Sequence, residues 1–117
     1  MQLTVRGLDR KAGAELRVSI QRRLWFVLGR FGRRIGRVTV DLAEQESSNR
    51  TQAKRCRIVL RLIGSGKFCV EETGTDLVGA AERATHRVGQ LVRREIERQR
   101  GELDRSPTEN RLLGPLQ

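Results

Sequence analysis

The sequence predicts an α+β domain: a four-stranded mixed sheet with two helices packed on one face, in the chain order β-α-β-β-β-α. Three observations predict it. Residues Arg55–Leu62 alternate apolar with mostly basic side chains, the period of a strand buried on one face only. Gly64-Ser65-Gly66 separates that run from a second short strand, so the two read as a hairpin. Two long stretches instead repeat apolar residues every three or four positions, the spacing of an amphipathic helix.

The first strand is expected over Met1–Gly7, with Leu3 and Val5 on one face and Thr4 and Arg6 on the other. Asp9 is placed to cap a helix from about Arg10 to Ile35. Its apolar stripe is Leu16, Ile20, Leu24, Val27/Leu28, Phe31 and Ile35. Gly29 and Gly32 weaken this helix by roughly 1 kcal/mol each relative to alanine, so they mark close packing or a fraying last turn. Gly36 is the expected C-terminal cap. Arg37–Leu42 reads as the second strand, with Val38, Val40 and Leu42 inward, and polar Ala43–Ala53 as an exposed loop.

The hairpin follows, with its return strand over Lys67–Glu72. A three-residue loop at Gly64–Gly66 sets Leu62 against Phe68 and Leu60 against Val70, keeping both apolar sets on one side. A two-residue loop would turn Glu71 inward beside Leu60. Asp76 then caps a second helix running to Arg100 and stopped by Gly101, burying Leu77, Ala81, Ala84, Val88 and Leu91/Val92. Residues 1–101 therefore read as one domain, and 102–117, with Pro107, Gly114 and Pro115 among polar residues, as a disordered tail. The first two strands, joined through a helix, are expected to be parallel with a right-handed crossover if they are neighbours. The other pairs are expected to be antiparallel.

Charge narrows the function. The chain carries 24 Lys and Arg against 14 Asp and Glu, a formal net charge of +10, with a pI near 11.4. All the basic residues but Lys11, Lys54 and Lys67 are arginine, which favours bidentate contact with phosphate and stacking on bases. That balance points to a polyanionic partner, nucleic acid ahead of an anionic membrane surface. The N-terminal residues lack the apolar region of a signal peptide, and no apolar run approaches the roughly 18 residues of a membrane helix. Two cysteines make neither a disulfide framework nor a zinc site with the usual spacing. The expected location is the cytoplasm.

On the second helix Arg83, Arg87, Arg94 and Arg98 keep to one flank beside the buried stripe. They read as phosphate contacts or as a solvated face paired with Glu82, Glu95 and Glu97. The first helix repeats the pattern with Arg23, Arg30 and Arg34 on a flank and Arg22 and Arg33 outward. Phe26 falls among them, either as a ring that stacks on a base or as one covered by arginine stems. The open sheet face offers Thr4, Arg6, Thr39, Asp41, Arg55, Arg57, Arg61 and Glu71, whose mixed signs suggest cross-strand pairing. Gly29-Arg30-Phe31-Gly32 matches the GXXG loop of KH domains in letters, but the apolar stripe runs through it and too little helix follows. Cys56 is expected inward, Cys69 outward, and His86 on the surface. With no triad, metal spacing or paired carboxylates, no enzyme, metal or cofactor is expected.

The run Val70-Glu71-Glu72-Thr73-Gly74-Thr75-Asp76-Leu77 leading into Ala80-Ala81-Glu82-Arg83-Ala84, on this element order, resembles the ribosome hibernation-promoting factor and ribosome-associated translation inhibitor family, formerly called sigma-54 modulation proteins. The resemblance covers roughly Gln2–Arg100. It implies a short-form factor, without the C-terminal dimerisation domain of the long forms, that binds the small ribosomal subunit in the channel for messenger and transfer RNA. It implies rRNA contacts from Arg22, Arg23, Arg30 and Arg33 on the first helix and Arg83, Arg87, Arg94 and Arg98 on the second. The free protein is expected to be a monomer, with no small-molecule or membrane partner. Val78 stands where the family usually has an aromatic residue, and the helices are Arg-rich rather than Lys-rich. The alternatives are a protein–protein regulator of sigma-factor type and a diverged module with another RNA target.

Overall fold

The elements follow in the expected order: β1 (Gln2–Arg6), α1 (Arg10–Leu28), a 3-10 segment (Gly29–Arg34), β2 (Ile35–Glu46), β3 (Gln52–Leu62), β4 (Gly66–Gly74) and α2 (Leu77–Leu112). This computed structural model describes residues 1–7, 10–46 and 52–112, with side chains over 1–7, 13–44 and 53–101. The sheet order is β1-β2-β3-β4, with β1 and β2 parallel and the other two pairs antiparallel. The fold class is the predicted α+β arrangement.

Both helices bury their stripes on the same sheet face. Ile20, Leu24 and Leu28 of α1 and Ala81, Ala84, Val88, Val92 and Ile96 of α2 meet Val38, Val40 and Leu42 of β2 and Cys56, Ile58, Leu60 and Leu62 of β3. Nearly all of this core is aliphatic, so its stability rests on burial of roughly 1.5–3 kcal/mol per large side chain. Asp76 caps α2 as expected: its Oδ1 accepts from Val78 N and its Oδ2 from Gly79 N, each at 3.2 Å. Asp9, the expected cap of α1, lies outside the described residues.

Four boundaries differ from the sequence reading. α1 stops at Leu28 rather than Ile35, because Gly29 and Gly32 sit where the chain tightens into the 3-10 segment. Ile35 still reaches the core, but as the first residue of β2, with Gly36 inside the strand instead of capping a helix. Apolar spacing of four cannot tell the two routes apart. A β-bulge completes the switch: Ile35 pairs with Leu62 and Val38 with Leu60, so Gly36 and Arg37 together oppose Arg61. Residues three apart on a regular strand face opposite ways. Here both are buried.

The expected loop over Ala43–Ala53 is mostly strand, since β2 runs to Glu46 and β3 starts at Gln52; residues 47–51 lie outside the described residues. Polar side chains are compatible with a ladder wherever one face is wet. The hairpin loop has the predicted three residues, but they are Ile63–Ser65, and Leu60 pairs with Phe68 and Ile58 with Val70. The slip is two residues, so the inward set is unchanged. Gly66 explains it, holding a positive φ of 104° while already pairing with Leu62. Finally, α2 passes through Gly101, which does not adopt a left-handed cap angle, and continues to Leu112. Of the tail expected at 102–117, residues to Leu112 are helical and 113–117 lie outside the described residues. A glycine that keeps its N–H lowers helix propensity by about 1 kcal/mol without ending the helix.

Candidate nucleic-acid interface

α1 and α2 lie side by side on the sheet and touch closely at one point. A Cβ at Gly89 would lie 2.4 Å from Val27 Cγ1, so only glycine admits this approach. Along the outer seam of the two helices run two open hollows of about 1040 and 370 Å³ that share Phe26, Val27 and His86. Thr85, the one buried polar residue among those described, lies against the floor of the larger.

The seam collects cations. Arg22 and Arg23 line the larger hollow, and Arg30 and Arg93 the smaller. None of the four has an ion pair among the described residues; Glu15 and Glu82 border the larger hollow without closing on them. Phe26 stands among them 90% exposed, which decides between its two sequence readings: no arginine stem covers it. The neighbouring Phe31 is the ring that arginine covers, with the Arg30 guanidinium carbon 4.6 Å from its centroid. Val18, Trp25 and Val78 are about half exposed nearby.

The second-helix arginines lie elsewhere. Arg83, Arg87, Arg94 and Arg98 occupy the opposite flank of α2, along β4 and its turn. Arg83 Nη2 donates to Thr73 O at 2.8 Å and Nε to Glu72 at 3.4 Å. Arg87 Nη1 donates to Glu71 O at 3.1 Å and to the other Glu72 oxygen. The two guanidinium groups hold the Glu72 carboxyl below its ordinary range, Arg87 most strongly. Arg98 pairs with Glu95 at 2.9 Å, and Arg94 borders a hollow with Phe68, Val70 and Leu91. Arg33 is exposed in the 3-10 segment, while Arg34 donates to Gln99 Oε1 at 3.0 Å.

The eight predicted arginines thus do not form one surface. Arg22, Arg23 and Arg30 converge on the seam; Arg83, Arg87 and Arg98 are engaged on the β4 flank. Sequence reasoning missed Arg93 and set His86 aside. Helical phase could have found both, since Glu82, His86, Gly89 and Arg93 recur at i, i+4, i+7 and i+11 on the flank opposite the arginine series.

The sequence matches no protein-family model and no curated protein. Solved structures do match. A ribosomal subunit interface protein from Coxiella burnetii superposes with a TM-score of 0.62 at 15% identity, over 82% of this chain and 96% of that one. The N-terminal domain of Protein Y from Thermus thermophilus superposes with a TM-score of 0.54 at 22% identity, over 80% of this chain and 93% of that one. The fold is shared. Described residues include no helix long and apolar enough to cross a membrane, and no cluster of metal-ligating side chains.

Proposed function

We propose that this chain is a ribosome-binding hibernation factor, a non-enzymatic translation inhibitor acting in the cytoplasm. It sits in the messenger–transfer RNA channel of the small subunit and blocks it sterically. The observation that carries this reading is the seam, where a fully presented Phe26 ring stands among Arg22, Arg23, Arg30 and Arg93, none of them paired with a carboxylate among the described residues. Arginines supply sequence-independent phosphate contact, and an exposed ring supplies a stacking platform for an unpaired base. The shared fold supports the ribosomal target, since one neighbour is a ribosomal subunit interface protein.

In this reading Arg22, Arg23, Arg30 and Arg33 contact rRNA phosphates directly, and Arg94 extends the contact along the other flank. Arg83, Arg87 and Arg98 add to the positive field while their N–H groups hold α2 to β4 and Glu95. The test is co-sedimentation of the purified protein with ribosomes and isolated subunits at two salt concentrations. Co-migration with the small subunit, weakened by salt and lost in the double variant Arg22→Glu/Arg23→Glu, is the expected result. Failure to co-migrate at every salt would overturn the ribosomal assignment.

A further inference from the structure

The open face of the sheet, away from both helices, is ordered by the register into rows of unlike character. In one row Arg6, Asp41, Arg57 and Glu71 are successive cross-strand partners, so charges alternate across four strands. Arg6 and Asp41 close a two-bond pair at 2.8 and 3.2 Å, Glu71 takes Arg55 at 3.3 Å, and Arg57 Nε donates to Cys69 Sγ at 3.3 Å. The charges of that row sum to zero. The next row towards the hairpin turn is Thr4, Thr39, Val59 and Cys69, uncharged. The row after it is Gln2, Arg37, Arg61 and Lys67: three cations and no acid.

The bulge creates that last row. By setting Gly36 and Arg37 together against Arg61, it brings a second arginine alongside the first, and Gly36 contributes no side chain to screen them. Arg37, Arg61 and Lys67 are exposed, have no ion pair among the described residues, and border one cleft of about 410 Å³ with Thr39, Arg57 and Asp41, the last neutralised by Arg6. Like charges on neighbouring strands repel. An isolated fold gains nothing from this row, and its repulsion is relieved by a bound polyanion.

We infer that this row is a second RNA-backbone site, on the face opposite the helix seam, so that one molecule holds two RNA segments at once. Adjacent strands lie about 4.8 Å apart, so the three cations are rooted in one line across β2, β3 and β4, a continuous run of charge that suits the closely spaced phosphates of a nucleic-acid backbone better than carboxylates scattered over an acidic protein. The threonine hydroxyls of the adjoining row provide donors and acceptors for phosphate or 2′-hydroxyl groups. A membrane surface fits less well, because the exposed large apolar residues among those described are Val18, Trp25, Phe26, Ile63 and Val78, none of them on this face. Two faces on one rigid domain convert the second contact into an intramolecular one, raising avidity without raising either affinity.

The test uses the full chain and a 12-nucleotide single-stranded RNA, labelled with donor or acceptor dye in equal parts. Wild type is expected to bind two oligonucleotides and give energy transfer between them. The triple variant Arg37→Gln/Arg61→Gln/Lys67→Gln should bind one, lose the transfer, and lower the slope of log K against log salt by about 2, for three lost contacts on a single strand. Arg22→Glu/Arg23→Glu should also bind one, through the sheet face. Unchanged melting of the triple variant excludes misfolding as the cause; if it unfolds, the single variant Arg61→Gln is read by the same transfer signal. A triple variant that still brings two oligonucleotides together, or a wild type that binds one and is indifferent to these substitutions, overturns the inference. So does capture by phosphatidylserine vesicles with no RNA bound. The oligonucleotide readout is independent of ribosome co-sedimentation, so either proposal can fail alone.

Discussion

The two flanks of α2 carry similar side chains put to different uses. Facing β4, Arg83 and Arg87 reach back to Glu72 and to the carbonyls of Glu71 and Thr73, fastening the helix to the sheet edge. Facing α1, Arg93 shares a hollow with Arg30 and Phe26 and reaches no carboxylate among the described residues. An arginine series along a helix therefore does not by itself mark a binding face. What separates the flanks is the neighbouring element: β4 presents acids and open carbonyls at its edge, whereas α1 presents more arginines. Charge left without a partner inside the molecule is the charge available to a ligand.

The largest effect that separates the flanks should come from charge reversal on the seam. Arg22→Glu/Arg23→Glu is expected to weaken binding to small subunits by about 100-fold at least, from two lost charge-assisted contacts of about 1.5–3 kcal/mol each, with melting unchanged. Arg83→Ala/Arg87→Ala should do the reverse, lowering the melting temperature while leaving most of the affinity. Filter binding and thermal melts on both variants decide it, and equal loss of affinity in the two would mean that both flanks bind. Phe26→Ala sharpens the same point: it should cost roughly 1–3 kcal/mol of binding, the value of one stacked base, and nothing in stability, because the ring is 90% exposed.

Most of the fold was legible in the sequence, and the seam was half legible. Strand alternation fixed the inward set on β2, β3 and β4 even where the hairpin slipped by two residues, because a slip of two preserves parity. The end of α1 was not legible, since Ile35 satisfies both a helical stripe and the start of a strand, and only the bulge at Gly36 and Arg37 resolves it. On α1, the phase of Arg22, Arg23, Phe26 and Arg30 showed in the sequence because the stripe beside them is clear. On α2, the eye follows the long arginine series, and pairing across to β4 is a tertiary fact that helical phase does not contain. The close approach at Gly89 is likewise tertiary: nothing local marks it as the point that sets the width of the seam.

Gly89→Ala tests that point. Its Cβ would press on Val27, a β-branched residue with little rotamer freedom in a helix. Overpacking of this kind costs about 1–3 kcal/mol. Melting should fall, and if the helices part to relieve the clash, RNA affinity should fall with it. An unchanged melt would mean that the helix pair tolerates a wider seam.

The smallest effect is expected from the β4 flank and depends on pH. Arg87 and then Arg83 depress the Glu72 carboxyl below its ordinary 4.5, as Arg6 depresses Asp41 below 3.8. A carboxyl whose folded value lies below its unfolded one stabilises the fold at any pH above the unfolded value, and that contribution disappears as pH falls through the folded value. The loss therefore belongs to the range below about 4.5 for Glu72, and neutral pH should leave both contacts intact. These groups are exposed and screened, so each contributes little alone. Melting curves from pH 7 down to pH 3 should show wild type losing slightly more stability than Glu72→Gln, which has no carboxylate left to protonate, with the two converging at the acid end. If Glu72→Gln instead tracks wild type at every pH, the Glu72 carboxylate adds nothing to the fastening, and α2 is held to β4 through the Thr73 and Glu71 carbonyls alone.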